Sequence, residues 1–169
     1  MKFGRIFLLL ILFFLLLTPV TVLQIRAPKK EDRLVWVGRV SPGDGIETVY
    51  IHSVEKSPVH EYFRIGEKLS FHLKETTFSS CNTGLPVSTE GNERFINDRG
   101  TFRLTGMNRV LPGLSLWVHE DYGNVLKLGT RSYIDLPSLA GNTLLVMTLR
   151  RMPLVLWGFE EVKLFARKP

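Results

Sequence analysis

From residue 34 onward the apolar residues recur at every second position, and this period limits the chain to extended strands with two unlike faces. Leu34, Trp36 and Gly38 alternate with Val35, Val37 and Arg39. Val49 and Ile51 alternate with Thr48, Tyr50 and His52, and Leu69, Phe71 and Leu73 alternate with Lys68, Ser70, His72 and Lys74. Turn sequences separate these runs: Ser41-Pro42-Gly43-Asp44-Gly45, Ser57-Pro58, Ile65-Gly66-Glu67, Leu111-Pro112-Gly113 and Asp121-Tyr122-Gly123-Asn124. Further strands are predicted over 94–97, 101–104, 114–120, 125–128, 143–149, 154–159 and 162–165, with one helical turn at 137–140. No dozen-residue window after position 33 shows a 3.6-residue period. Short strands without crossover helices predict an all-β fold, an antiparallel β-sandwich or a small barrel. A single cysteine, Cys81, leaves that fold to be held by packing.

The N-terminus follows another pattern. Residues 6–17 are all apolar, and 18–23 extend the run to 18 residues without a charge. At about 1.5 Å per residue this is roughly 27 Å, just sufficient for a hydrocarbon core. Lys2 and Arg5 precede the run, which favours a cytoplasmic N-terminus and an exported remainder. A cleaved signal peptide shares these features, but 18–27 offers no small-residue cleavage site. The predicted organisation is an anchor or signal segment over 1–25, a polar tether over 26–33 and an extracytoplasmic β-domain over 34–169. The membrane, through the N-terminal helix, is then the first partner. The chain carries 22 basic and 16 acidic residues, and Lys2, Arg5 and Arg26 flank the apolar run. The rest is nearly balanced and lacks any Lys/Arg block, so nucleic acid is not an expected partner.

Residues capable of chemistry concentrate between His52 and Cys81. Glu61 shares a strand face with Phe63 and Ile65, and alternation places Glu75 with Leu69, Phe71 and Leu73. A carboxylate on an apolar face must be hydrogen-bonded, paired or protonated, which makes Glu61 and Glu75 the least ordinary residues of the chain. Together with the His52-Ser53 segment they are expected to form a buried polar cluster. His60 and His72 fall on the opposite, solvated faces. His52, Glu61 and Glu75 also supply nitrogen and oxygen ligands for a divalent ion, and a small metal-assisted hydrolase is the alternative function. Ser53 beside His52, or Cys81 with a distant histidine, has the residue types of nucleophilic catalysis without a nucleophile elbow. No motif calls for a cofactor.

The strings HSVEKSPVHEYFRI, LSFHLKETTF and SSCNTGLP resemble an uncharacterised bacterial and archaeal family of extracytoplasmic domains. Its members carry an HSVE-x-x-P-x-x-E segment, an apolar strand ending in Glu, and a Ser-containing turn before Leu-Pro. The resemblance spans about residues 34–150. The family often accompanies tripartite ATP-independent periplasmic (TRAP) transporters of the TAXI type. The resemblance thus implies an accessory or binding role in such a system, with the transporter membrane subunit or the TAXI solute-binding protein as partner. Its motif positions here are His52, Ser53, Glu55, Pro58 and Glu61, then Glu75, Ser80, Gly84, Leu85 and Pro86. Asn82 and Thr83 stand where the family turn more usually has Gly and Ala.

Overall fold

In the computed structural model, which describes residues 2–79, 91–130 and 132–166, the chain begins with helix α1 (Lys2–Leu17) and continues directly into strand β1 (Pro19–Ala27). The 18-residue apolar run is therefore divided between two elements. Pro19 cannot continue the helix ladder and biases Thr18 toward an extended conformation, while Val20, Thr21 and Val22 are β-branched. At 16 residues α1 measures about 24 Å. No helix among the described residues is long and apolar enough to cross a membrane.

β1 is an interior strand, pairing with β2 (Arg33–Arg39) on one side and β12 (Thr143–Pro153) on the other. The N-terminal helix, expected to reach residue 25, thus ends at Leu17. The expected tether is also corrected: it is a β1–β2 hairpin loop, closed by Arg33 N–H donating to the Lys30 carbonyl at 3.1 Å. The Arg26 guanidinium binds Asp32 at 2.9 Å across the same loop.

The other strands are β3 (Gly45–Ile51), β4 (Pro58–Ile65), β5 (Phe71–Phe78), β6 (Arg94–Asp98), β7 (Thr101–Thr105), β8 (Arg109–Leu111), β9 (Gly113–Val118), β10 (Val125–Leu128) and β11 (Ser132–Asp135). The short helix α2 (Leu136–Ala140) sits where the single turn was predicted. One sheet has the order β2-β1-β12-β9. The other runs β11-β10-β3-β4-β5-β7-β6, with β8 also paired to β5. All pairings are antiparallel, and neither sheet closes on itself, so the small-barrel alternative falls away. The chain passes between sheets at Pro112, from β8 to β9.

Leu23, Ile25, Leu145 and Met147 of the first sheet form one buried cluster with Ile46, Phe63, Phe71 and Leu126 of the second. Removing such side chains from water is the main source of stability, at about 25 cal/mol per Å2 of apolar surface.

The predicted C-terminal strands at 154–159 and 162–165 are instead a single helix, α3 (Leu154–Phe165). Its Leu154, Trp157 and Leu164 pack against Val20, Val22 and Val37 on the outer face of the four-stranded sheet. Gln24 Oε1 and Trp157 Nε1 are both buried without a hydrogen-bond partner among the described residues.

Candidate functional site

Glu61 lies where the alternation puts it. It faces inward on β4 between Val59 and Phe63, opposite Thr48 on β3. The Thr48 hydroxyl donates to Glu61 Oε2 at 3.1 Å. Here β3 reverses the expected phase: Ile46 and Thr48 are buried toward the interior, whereas Val49 is only half-buried. Glu61 opens onto a cleft of about 210 Å3 between the sheets, walled by Phe63, Leu111, Leu114 and Met147. Those walls bring no second charge. Burial consequently pushes the Glu61 carboxyl above its ordinary 4.5, and the bond from Thr48 offsets only part of that rise. Tyr50 is affected as well: burial, and then the charge of Glu61, raise its hydroxyl to about 12.

Glu75 is not in this cleft. Tyr62 pairs with Glu75 and Phe63 with Leu73, so Lys74 is an extra residue that shifts the register of β5. A one-residue bulge moves every side chain beyond it to the other face. Thr76 and Phe78 are buried in consequence, while Glu75 stands outside, 3.5 Å from the Arg103 guanidinium.

His52 is committed elsewhere. In the β3–β4 loop its Nδ1 accepts from the backbone N–H groups of Val54 and Glu55, at 3.4 and 3.3 Å, and the His52 backbone N–H donates to the Ser57 carbonyl at 2.9 Å. It caps a turn in which Lys56 takes a φ of 52°. Ser53 is exposed and Glu55 half-buried in the same turn. The structure therefore brings His52, Ser53 and Glu55 together as a loop but separates them from Glu61 and Glu75. The expected cluster does not form, nor does the ligand set His52, Glu61 and Glu75. No group of three or more potential metal ligands occurs among the described residues. Ser80, Cys81 and Gly84 lie outside the described residues.

A second polar site has no local sequence signal. On the outer face of the eight-stranded sheet, His60 Nδ1 lies 2.7 Å from Glu47 Oε1, and Lys127 Nζ donates to both Glu47 oxygens at 3.2 Å. Burial raises the Glu47 carboxyl, but the hydrogen bonds from His60 and Lys127 outweigh it and hold the pKa below 4.5. Tyr62 stacks on His60 at 6.3 Å. Glu47, Tyr62, Arg64, Lys74, Glu75 and Lys127 border a shallow depression of about 400 Å3. The opposite polarity of the two sites follows from their surroundings. Glu47 has two cationic or donor partners within 3.2 Å, while Glu61 has one hydroxyl and apolar walls.

No curated protein and no solved structure matches the chain. A family model does, over residues 46–134, just over half of the 169 residues. That span covers nearly all of the eight-stranded sheet together with β9, and so contains both Glu61 and Glu47. By this match, the chain belongs to the family described as a domain of unknown function, DUF1850.

Proposed function

We propose that the chain is a membrane-held, extracytoplasmic accessory or binding component of a TAXI-type TRAP transport system, with the Glu61 cleft as its binding site. The observation that supports this most is α1. From Ile6 to Leu15, and again at Leu17, its side chains are between 45 and 68% exposed, and every one is apolar. A helix apolar on all sides needs an apolar surrounding, and the β-domain covers only its C-terminal end. Lys2 and Arg5 at the start of α1 favour placing the β-domain outside the cytoplasm. The transporter partner comes from the resemblance of the HSVE-x-x-P-x-x-E segment. The alternative, a metal-assisted hydrolase, has no observation in its favour, because His52 is occupied in capping a turn. Affinity purification of the detergent-solubilised full chain tests the proposal. It should recover the transporter membrane subunit or its solute-binding protein, and recovery of neither would overturn it.

A further inference from the structure

α3 should be polar on its outer side, and it is not. With Leu154, Trp157 and Leu164 facing the sheet, the 100° step of an α-helix turns Val155, Leu156, Phe159 and Val162 outward. These four are 43, 52, 59 and 67% exposed. The charged residue within that outer arc is Lys163, whose ammonium lies 5.0 Å from the Phe159 ring centroid. Glu160 lies on one flank, and Glu161 on the sheet side, where with Val162 at the edge of the arc it borders a groove between α3 and β2.

This face continues the bare surface of α1. The two helices touch, the Leu154 N–H donates to the Thr18 carbonyl at 2.9 Å, and Pro19 pairs with Pro153 where α1 enters and β12 leaves the sheet. The same face of the sheet is basic at this end: Arg39 and Arg150 flank Val22 from either side, and both are exposed. β1, β2 and β12 contain no Asp or Glu. A protein partner seated on α3 would still leave α1 uncovered, whereas a bilayer covers both at once.

We infer that α3 is an interfacial helix, lying flat on an anionic bilayer with Val155, Leu156, Phe159 and Val162 in the headgroup–acyl boundary and Lys163 and Arg150 at the phosphates. It rests on the membrane reading proposed above. It adds a second contact to α1, so that the bilayer fixes the tilt of the β-domain as well as its location.

The test uses the full chain carrying Cys81→Ser, which removes its one cysteine. A single cysteine is then introduced by Phe159→Cys, or by Tyr133→Cys on exposed β11 of the other sheet, and labelled with an environment-sensitive fluorophore. In phosphatidylcholine–phosphatidylglycerol vesicles containing nitroxide-labelled lipid, the label at 159 should be blue-shifted and quenched about fivefold more than the label at 133. Omitting phosphatidylglycerol should reduce that difference. A chain that floats with the vesicles while 159 remains as wet as 133 overturns the inference and leaves α1 as the anchor. A label at 159 that is shielded but not quenched by nitroxide lipid overturns it in favour of a second copy on this face. A chain that does not float overturns the membrane reading altogether.

Discussion

Replacing Glu61 with Gln should make the protein more stable, and only above a definable pH. The native carboxylate receives one hydroxyl, from Thr48 at 3.1 Å, and the rest of its cleft, apolar apart from Gly113 and Ser115 of β9, holds no charged group. Because its folded pKa is raised above 4.5, ionised Glu61 costs the native state free energy that the unfolded state does not bear. Below the unfolded value both states are protonated and the cost is absent. As pH rises through the folded pKa the cost appears in full. Gln keeps an oxygen to accept from Thr48 and buries no charge. A half-satisfied buried charge costs on the order of 1 to 3 kcal/mol, so Glu61→Gln should gain about 1 to 2 kcal/mol near pH 8 and nothing near pH 4. For a domain of this size that gain raises Tm by about 3 to 6 °C. Urea melts of both proteins across this pH range measure it. A Gln variant that is less stable than the parent at high pH, or a difference that does not change with pH, would refute the assignment of Glu61 to a desolvated cleft.

Glu47→Gln should behave in the opposite sense, because its folded pKa lies below 4.5: the stability it contributes is present above that value and is lost as pH falls through the folded pKa. The expected loss near neutral pH is about 1 kcal/mol, with the variant and parent converging in acid, read by the same melts. In a double-mutant cycle, Glu61→Ala and Glu75→Ala should add within about 0.5 kcal/mol, since the two point to opposite faces and share no partner; stronger coupling would place Glu75 back in the interior. Gln24→Leu removes a buried oxygen that lacks a partner and should stabilise the protein by about 1 kcal/mol in denaturant, whereas a loss would reveal an unrecognised bond to that amide. If the chain is processed, intact mass should show a cut no later than Thr18, because a mature N-terminus within 20–27 would remove part of an interior strand.

What could be read from the residues depended on whether a signal was local. Glu61 keeps the face that alternation gives it because Val59, Phe63 and Ile65 surround it at a two-residue spacing without interruption. The same rule failed at Glu75, since the bulge at Lys74 shifts the phase by one residue and nothing in LSFHLKETTF marks it. Hydropathy merges β1 with the apolar run before it, because it does not distinguish an apolar helix from a strand buried on both faces; Pro19 and the β-branched Val20-Thr21-Val22 are the local signal that separates them. α3 hides from a periodicity argument because it is apolar toward both the sheet and its outside, which erases the 3.6-residue period. The site at Glu47 was beyond reach. Its partner Lys127 is 80 residues away, and only the pairing of β3 with β10 brings them together.

The position of β12 has a consequence for the order in which the protein is made. β1 emerges first among the strands and β12 last, yet β12 is the strand that joins β1 to β9. Until residues 143–153 have been synthesised, the β1–β2 hairpin exposes its inner edge and the apolar side chains Leu23 and Ile25. Closing a loop of this length is entropically costly and slow compared with forming the hairpins of the other sheet. The four-stranded sheet therefore stays incomplete until residues 143–153 have emerged from the ribosome. That lag is compatible with export as an extended polypeptide, but it leaves the N-terminal hairpin dependent on a late strand for protection from aggregation.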